Sequence, residues 1–131
     1  MAYLRFTIFL VCIFASVQSL LAQEANPEKA KQFIYVLRLV PRLHSESAWT
    51  KEDNMVLSRH FTRFQYAIER GELILAGRAK EPGDKTFGIA IFEAADEAAA
   101  RAFMESDPAV VAGLMTAELH PFAVVLQRKN P

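Results

Sequence analysis

The sequence predicts one α+β domain whose elements follow the order strand, helix, strand, strand, helix, strand. A long amphipathic segment that ends at Gly71 separates a first strand-like run from two further runs joined by a Pro-Gly turn. An alanine-rich segment and a final β-branched run then repeat the alternation. This order is the split β-α-β-β-α-β arrangement, so we expect a ferredoxin-like fold with a single antiparallel sheet.

Local signals set the expected boundaries. Pro41 closes the first apolar run, Thr50 and Asp53 form a capping pattern, and Gly71 terminates the helix that follows. The predicted elements are strand 33–40, helix 50–70, strand 72–79, turn 81–84, strand 85–93, helix 96–105, a short helical turn over 107–113, and strand 118–127. Apolar residues of the first helix recur at spacings of four, three and four, which predicts that they share one buried face: Leu57, Phe61, Phe64 and Ile68.

The first 22 residues have the layout of a secretory signal peptide. Arg5 supplies a positive start, the run from Phe6 to Val17 is almost wholly apolar, and small residues lead to Ala22. This run is shorter than the roughly 20 apolar residues that a membrane-spanning helix needs. We expect cleavage after Ala22, followed by a linker over 23–32 and a domain over 33–128. The mature protein is expected to be exported, periplasmic or secreted, and not to associate with the membrane once the leader is removed. An uncleaved leader that serves as an anchor is the alternative.

Composition disfavours several classes of partner and cofactor. Fifteen basic residues balance fifteen acidic ones, and no basic stripe or acidic tail is visible in the sequence. Nucleic acid is therefore not an expected partner. Cys12, the one cysteine, lies in the leader, and the three histidines have no metal-type spacing. We predict neither a metal nor another cofactor.

The strands of the predicted sheet are apolar on both faces. In the first strand, Ile34 and Val36 alternate with Phe33, Tyr35 and Leu37. A lone antiparallel sheet with helices on one side is expected to have a polar open face. A second copy of the same sheet is the simplest cover, because a two-fold dimer buries identical patches against each other. The sequence therefore predicts a homodimer.

The stretch from Phe33 to Leu126 resembles the YCII-related (YciI-like) family, which belongs to the dimeric α/β barrel type. The resemblance depends on the order and spacing of several short segments: His60-Phe61, Glu69 to Gly77, Phe92-Glu93 with the alanine-rich helix, Ser106-Asp107-Pro108, Gly113-Leu114 and His120-Pro121-Phe122. It implies the fold, a dimer and a possible active-site dyad of His60 and Asp107. Some members have been proposed as lyase- or dehydrochlorinase-like enzymes, so the resemblance implies no particular substrate.

The residues themselves allow two interpretations of this dyad. His60 lies on or beside the apolar stripe of the first helix, where a paired imidazole is suited to act as a general base. It is equally suited to be a boundary histidine that bonds to a backbone carbonyl. Asp107 directly before Pro108 is a helix-capping arrangement, and a cap alone is worth about 1 kcal/mol. The two roles of Asp107 are compatible, and we expect its side chain to meet His60 beside a concave pocket.

Three further residues are candidates for substrate binding. Arg38 is an isolated charge in the first strand, Arg78 ends the second, and His120 lies on the last strand. The preferred hypothesis is a small lyase- or hydrolase-like enzyme that performs acid–base chemistry on a small organic molecule. The alternative is a non-catalytic dimeric module for ligand binding or assembly. A haem- or oxygen-using enzyme of the same barrel type is a weaker option, because no residue matches its motifs.

Overall fold

The computed structural model describes residues 30–129, and its elements follow the predicted order. The strands are β1 (Lys31–Leu39), β2 (Leu73–Arg78), β3 (Gly88–Ala94) and β4 (Met115–Pro121). The helices are α1 (Lys51–Glu69), α2 (Glu97–Glu105) and the short α3 (Pro108–Val111). The predicted signal peptide, 1–22, and most of the predicted linker lie outside the described residues.

The four strands form one antiparallel sheet in the order β2-β3-β1-β4. Each β-α-β half places its two strands on either side of a strand from the other half, as the split arrangement requires. The predicted α+β ferredoxin-like fold is therefore confirmed. Among residues 30–129, no helix is both long and apolar enough to cross a membrane.

The core lies between one face of the sheet and the helices. Successive strand residues point to opposite faces, and Phe33, Tyr35 and Leu37 of β1 are the ones that are fully buried. They pack with β3, α1 and α2 in a cluster that also contains Phe64, Ala67, Leu73, Ala90, Phe92, Ala100 and Met104. The opposite face of β1, with Ile34 and Val36, is only half-buried.

The signals at the ends of α1 perform as predicted. The Asp53 amide donates to Thr50 Oγ1 at 3.1 Å, and the Thr50 amide donates to Asp53 Oδ2 at 2.9 Å, which completes a capping box. Gly71 has a φ of 73°, in the left-handed region that glycine reaches without steric cost. These contacts fix where α1 begins and ends.

The predicted buried face of α1 was wrong in part. Phe64 is buried, but Phe61 and Ile68 are more than half exposed. The inward face is instead made by Asp53, Val56, His60, Phe64 and Ala67. The two polar residues of this face have hydrogen-bonding partners there: Asp53 bonds to Arg42, and His60 to Asp107.

The predicted boundaries of three strands were also wrong. β1 begins at Lys31, inside the predicted linker, and β3 begins at Gly88 instead of 85 because Gly83–Lys85 forms a 3-10 turn. β4 covers Met115–Pro121 instead of 118–127. Its far end is limited by its partner, since Pro121 pairs with Phe33 near the start of β1. The residues after Pro121 therefore have little of β1 left to pair with.

Candidate acid–base site

The fold brings His60 and Asp107 together on the helical side of the sheet. His60 faces inward from the middle of α1, and Asp107 is the N-cap residue of α3. His60 Nδ1 lies 2.7 Å from Asp107 Oδ1 and 2.9 Å from Oδ2. The expected meeting of the two side chains is confirmed, although they are separated by 47 positions in the chain.

Asp107 accepts hydrogen bonds from three different elements. Besides His60, the Ala109 amide donates to Oδ1 at 2.9 Å, and the Tyr35 hydroxyl of β1 donates to Oδ2 at 2.9 Å. The expected helix cap is therefore present, and Oδ1 serves both the cap and the imidazole. Asp107 has no exposed surface, so this set of donors replaces the water that a carboxylate requires.

The donors decide the charge of this carboxyl group. Burial by itself would raise the pKa of Asp107, but hydrogen bonds from His60, Ala109 and Tyr35, together with the attraction of His60, outweigh it and lower the pKa. Burial first, and then the adjacent carboxylate, raise the pKa of Tyr35 far above its ordinary value. Asp107 is therefore ionised and Tyr35 remains a hydrogen-bond donor.

The contact with a carboxylate determines which imidazole nitrogen carries a proton. An ionised carboxylate only accepts hydrogen bonds, so Nδ1 of His60 must be the donor. In the described part of the chain, no group hydrogen-bonds to Nε2, and Nε2 is not among the fully buried atoms that lack a partner. The small exposed remainder of His60, 5% of its side chain, therefore includes Nε2. Nε2 is thus the ring nitrogen that makes no hydrogen bond within the described residues.

Arg63 supplies a counter-charge to Asp107 that was not predicted from the sequence. Its Nη1 lies 3.7 Å from Asp107 Oδ2, and its Nη2 donates to the Phe103 carbonyl and to Ser106 Oγ. The guanidinium also lies 4.0 Å from the centre of the Phe103 ring. With Arg63 charged and Asp107 ionised, the cluster is electrically balanced when His60 is neutral.

Tyr35 and Arg63 were missed as site residues for different reasons. Arg63 follows His60 by one helical turn, a spacing that brings two side chains together. It lies outside the apolar stripe of the helix, however, and was therefore expected to face solvent. Tyr35 fits the apolar alternation of β1 and so looks like an ordinary core residue. A buried tyrosine hydroxyl normally requires a partner, and that requirement was the available signal.

The predicted substrate-binding residues are not gathered around this pair. Arg38 and His120 lie on the open face of the sheet, because Arg38 pairs with Thr116 and His120 with Ile34. His120 Nε2 is 3.5 Å from Glu118 Oε1 there. Arg78 is exposed at the end of β2. Within one chain the sheet separates Arg38 and His120 from the dyad, and their role in substrate binding stays a prediction.

The expected pocket wall at the dyad is not found in the described depressions. One depression follows the outside of α1, and another lies near the start of β1; neither is lined by His60 or Asp107. Arg63 lines the first one and so connects it to Asp107. Within residues 30–129 no group of three His, Cys, Asp or Glu side chains is arranged to hold a metal ion.

Fold and site together define a class: a ferredoxin-like domain with a buried histidine–aspartate pair between its helices. The model of the YCII-related domain matches residues 35–122, which include Tyr35, His60, Arg63 and Asp107. The chain belongs to the YCII-related domain family. A comparison with curated proteins found no significant match.

The lowered pKa of Asp107 has a consequence for acid stability. A carboxyl group whose folded pKa lies below its unfolded value, about 3.9, contributes fully above that value and loses its contribution as the pH falls through the folded pKa. We expect the difference in unfolding free energy between the wild type and Asp107→Asn to shrink from pH 6 towards pH 2. Urea unfolding at several pH values measures it. A pH-independent difference would contradict the ionised state of Asp107.

Proposed function

We propose that this YCII-related protein is a small acid–base enzyme of the lyase or hydrolase type, in which His60 transfers the proton and Asp107 orients it. The observation that supports this most strongly is the 2.7 Å contact between His60 Nδ1 and Asp107. It places a proton on Nδ1, so that in the neutral ring the lone pair is on Nε2. An imidazole held in one tautomer by a carboxylate is suited to act as a general base.

The neighbouring groups support this role for His60. Arg63 and the two hydrogen bonds from Tyr35 and Ala109 stabilise the Asp107 carboxylate independently of His60. The ring of Phe64 packs edge-on against the imidazole, with centroids 4.5 Å apart, and restricts its rotation. A base that is already oriented loses little entropy when a substrate binds. Removal of a proton from carbon, with or without elimination of a leaving group, is the simplest reaction for such a site.

Proton exchange tests this function and does not require the substrate to be identified first. Small carbonyl compounds and halogenated carboxylates are incubated with the protein in D₂O, and loss of their C–H signals is followed by NMR. We expect at least one compound to exchange faster than in buffer. The acceleration should disappear in His60→Gln and persist in His44→Gln, a control histidine whose Nε2 donates to the Leu39 carbonyl at 3.1 Å. Equal loss in both variants would contradict a specific role for His60.

One observation favours the alternative, a non-catalytic binding or assembly module. The described depressions do not reach His60 or Asp107. A cluster with so little exposed surface is also suited to stabilise the fold without any catalytic role. If this alternative holds, the screen finds no exchange with any compound, and His60→Gln changes only stability.

The proposal includes a homodimer formed through the open face of the sheet. This face has a half-buried aliphatic centre, and polar or charged residues surround it. The aliphatic residues are Ile34, Val36, Leu75, Ile89 and Ile91. Leu75 alone leaves 45% of its surface exposed. Burial of such a surface against a second copy removes apolar area from water on both sides.

A charge at the centre of this face is expected to prevent dimerisation. Val36→Asp would place an unpaired carboxylate in the interface, at a cost of several kcal/mol, on the order of 3. Light scattering should show a dimer for the wild type and a monomer for Val36→Asp. Gln65→Glu, which adds the same charge at an exposed position of α1, serves as control and should remain dimeric. A wild-type monomer at micromolar concentration would contradict the proposal.

The proposal also includes export, supported by the arrangement of Arg5, the apolar run and Ala22. We expect N-terminal sequencing of protein from the native cell envelope to begin at Gln23. A chain that begins at Met1 in the cytoplasmic fraction would contradict export.

A further inference from the structure

A depression of about 300 Å³ on one side of α1 has a lining made of arginines and hydroxyl-bearing side chains. The lining residues are Ser58, Arg59, Thr62, Arg63, Tyr66 and Arg70. Residues at spacings of three, four and seven lie along one side of a helix, so the three guanidinium groups are arranged in a row. None of the lining residues is acidic, so every charge that the lining itself contributes is positive.

The three arginines of the groove differ in the number of hydrogen bonds and ion pairs that they already form. Arg70 makes two hydrogen bonds to the Glu72 carboxylate, at 3.0 and 2.8 Å. Arg63 is held through Nη2, but its Nη1 is fully buried and has no hydrogen-bonding partner. Arg59 forms no hydrogen bond or ion pair with any residue in the range 30–129. Among residues 30–129, Arg59 is therefore the arginine of the groove without a counter-charge, whereas Arg63 and Arg70 already face the carboxylates of Asp107 and Glu72.

We propose that this groove binds the oxyanion group, a carboxylate or a phosphate, of a small molecule. A guanidinium group matches the two oxygens of such an anion with parallel N–H donors. The hydroxyls of Ser58, Thr62 and Tyr66 supply further donors along the same row. The volume of about 300 Å³ lies at the lower end of the range for small-molecule sites.

Arg63 connects the groove to the acid–base pair. It lines the groove, and its Nη1 is 3.7 Å from Asp107 Oδ2. An anion that bonds to Arg63 competes with Asp107 for the same positive charge. Binding of the anion therefore weakens the ion pair between Arg63 and the carboxylate that orients His60. Identification of this anion as part of the substrate rests on the proposed acid–base function; the binding of an anion does not.

Titration with simple anions tests the groove. Inorganic phosphate and succinate are added separately to the uniformly labelled protein at constant ionic strength, and backbone and arginine side-chain NMR signals are followed. We expect saturable shifts at Arg59 and Arg63. Arg59→Gln should weaken binding about tenfold or more, as expected for loss of a charge-assisted contact. Arg101→Gln is the control, because Arg101 pairs with Glu97 at 2.8 Å on α2, away from the groove.

Each outcome of the titration decides a specific point. Saturable binding of either probe, lost in Arg59→Gln and kept in Arg101→Gln, supports the groove, and the stronger probe identifies the anion as phosphate or carboxylate. Shifts that chloride reproduces, or that both variants weaken equally, would overturn it. Anion binding in a protein that catalyses no exchange would reject the acid–base function alone. Catalysed exchange with a KM that Arg59→Gln leaves unchanged would reject the groove as the substrate site.

Discussion

Replacing Asp107 by alanine is expected to lower the free energy of unfolding by about 3 to 5 kcal/mol. The substitution removes the cap of α3, leaves the Tyr35 hydroxyl and the His60 Nδ1–H without their shared acceptor, and removes the counter-charge of Arg63. Buried donors without an acceptor cost far more than the contact itself contributes. The sequence alone supports only the cap, which is worth about 1 kcal/mol.

Asp96 offers a matched control for this substitution. It caps α2 by the same type of contact, with the Ala99 amide donating to Oδ1 at 2.8 Å, but it is exposed and has no further described partner. Asp96→Ala should therefore cost about 1 kcal/mol. Urea unfolding of the two variants measures both values. Equal losses would mean that the contacts of Asp107 with Tyr35, His60 and Arg63 contribute nothing to stability.

Asp107→Asn is expected to lower kcat by about 10² to 10⁴, the contribution usual for an acid–base group, while KM changes little. Asparagine caps a helix as well as aspartate does, so the fold should persist. Its amide also carries N–H donors, and one of these facing Nδ1 would move the imidazole proton to Nε2. The base would then have no lone pair on the accessible side. An unchanged kcat in the proton-exchange assay would contradict an orienting role for Asp107.

The parts of the fold that depend on local signals were predictable from the sequence. The capping box at Thr50, the terminator Gly71 and the Asp107-Pro108 cap each depend on residues a few positions apart. Alternation of side chains along β1 likewise separated Tyr35 from Ile34. Such patterns locate elements and their inward faces, because the relevant contacts lie within one turn or one strand.

The site was predictable only in part, because its contacts join distant positions. The pairing of His60 with Asp107 was inferred through the family resemblance, since neither residue alone identifies its partner. The hydrogen bond between Tyr35 and Asp107 spans 72 positions, and no local pattern indicates it. The apolar periodicity of α1 also predicted the wrong inward face. It placed Phe61 and Ile68 inside because they are hydrophobic, and it contains no information about the polar partner of His60.

The tautomer of His60 is the most direct test of the account. Two-dimensional ¹⁵N–¹H NMR that correlates the ring nitrogens with the carbon-bound ring protons distinguishes a protonated nitrogen from one with a free lone pair. At pH 8 we expect the wild type to carry its proton on Nδ1, with Nε2 unprotonated, and Asp107→Asn to shift the proton towards Nε2. A wild-type ring with its proton on Nε2, or with both nitrogens protonated, would contradict the assignment of His60 as an oriented base.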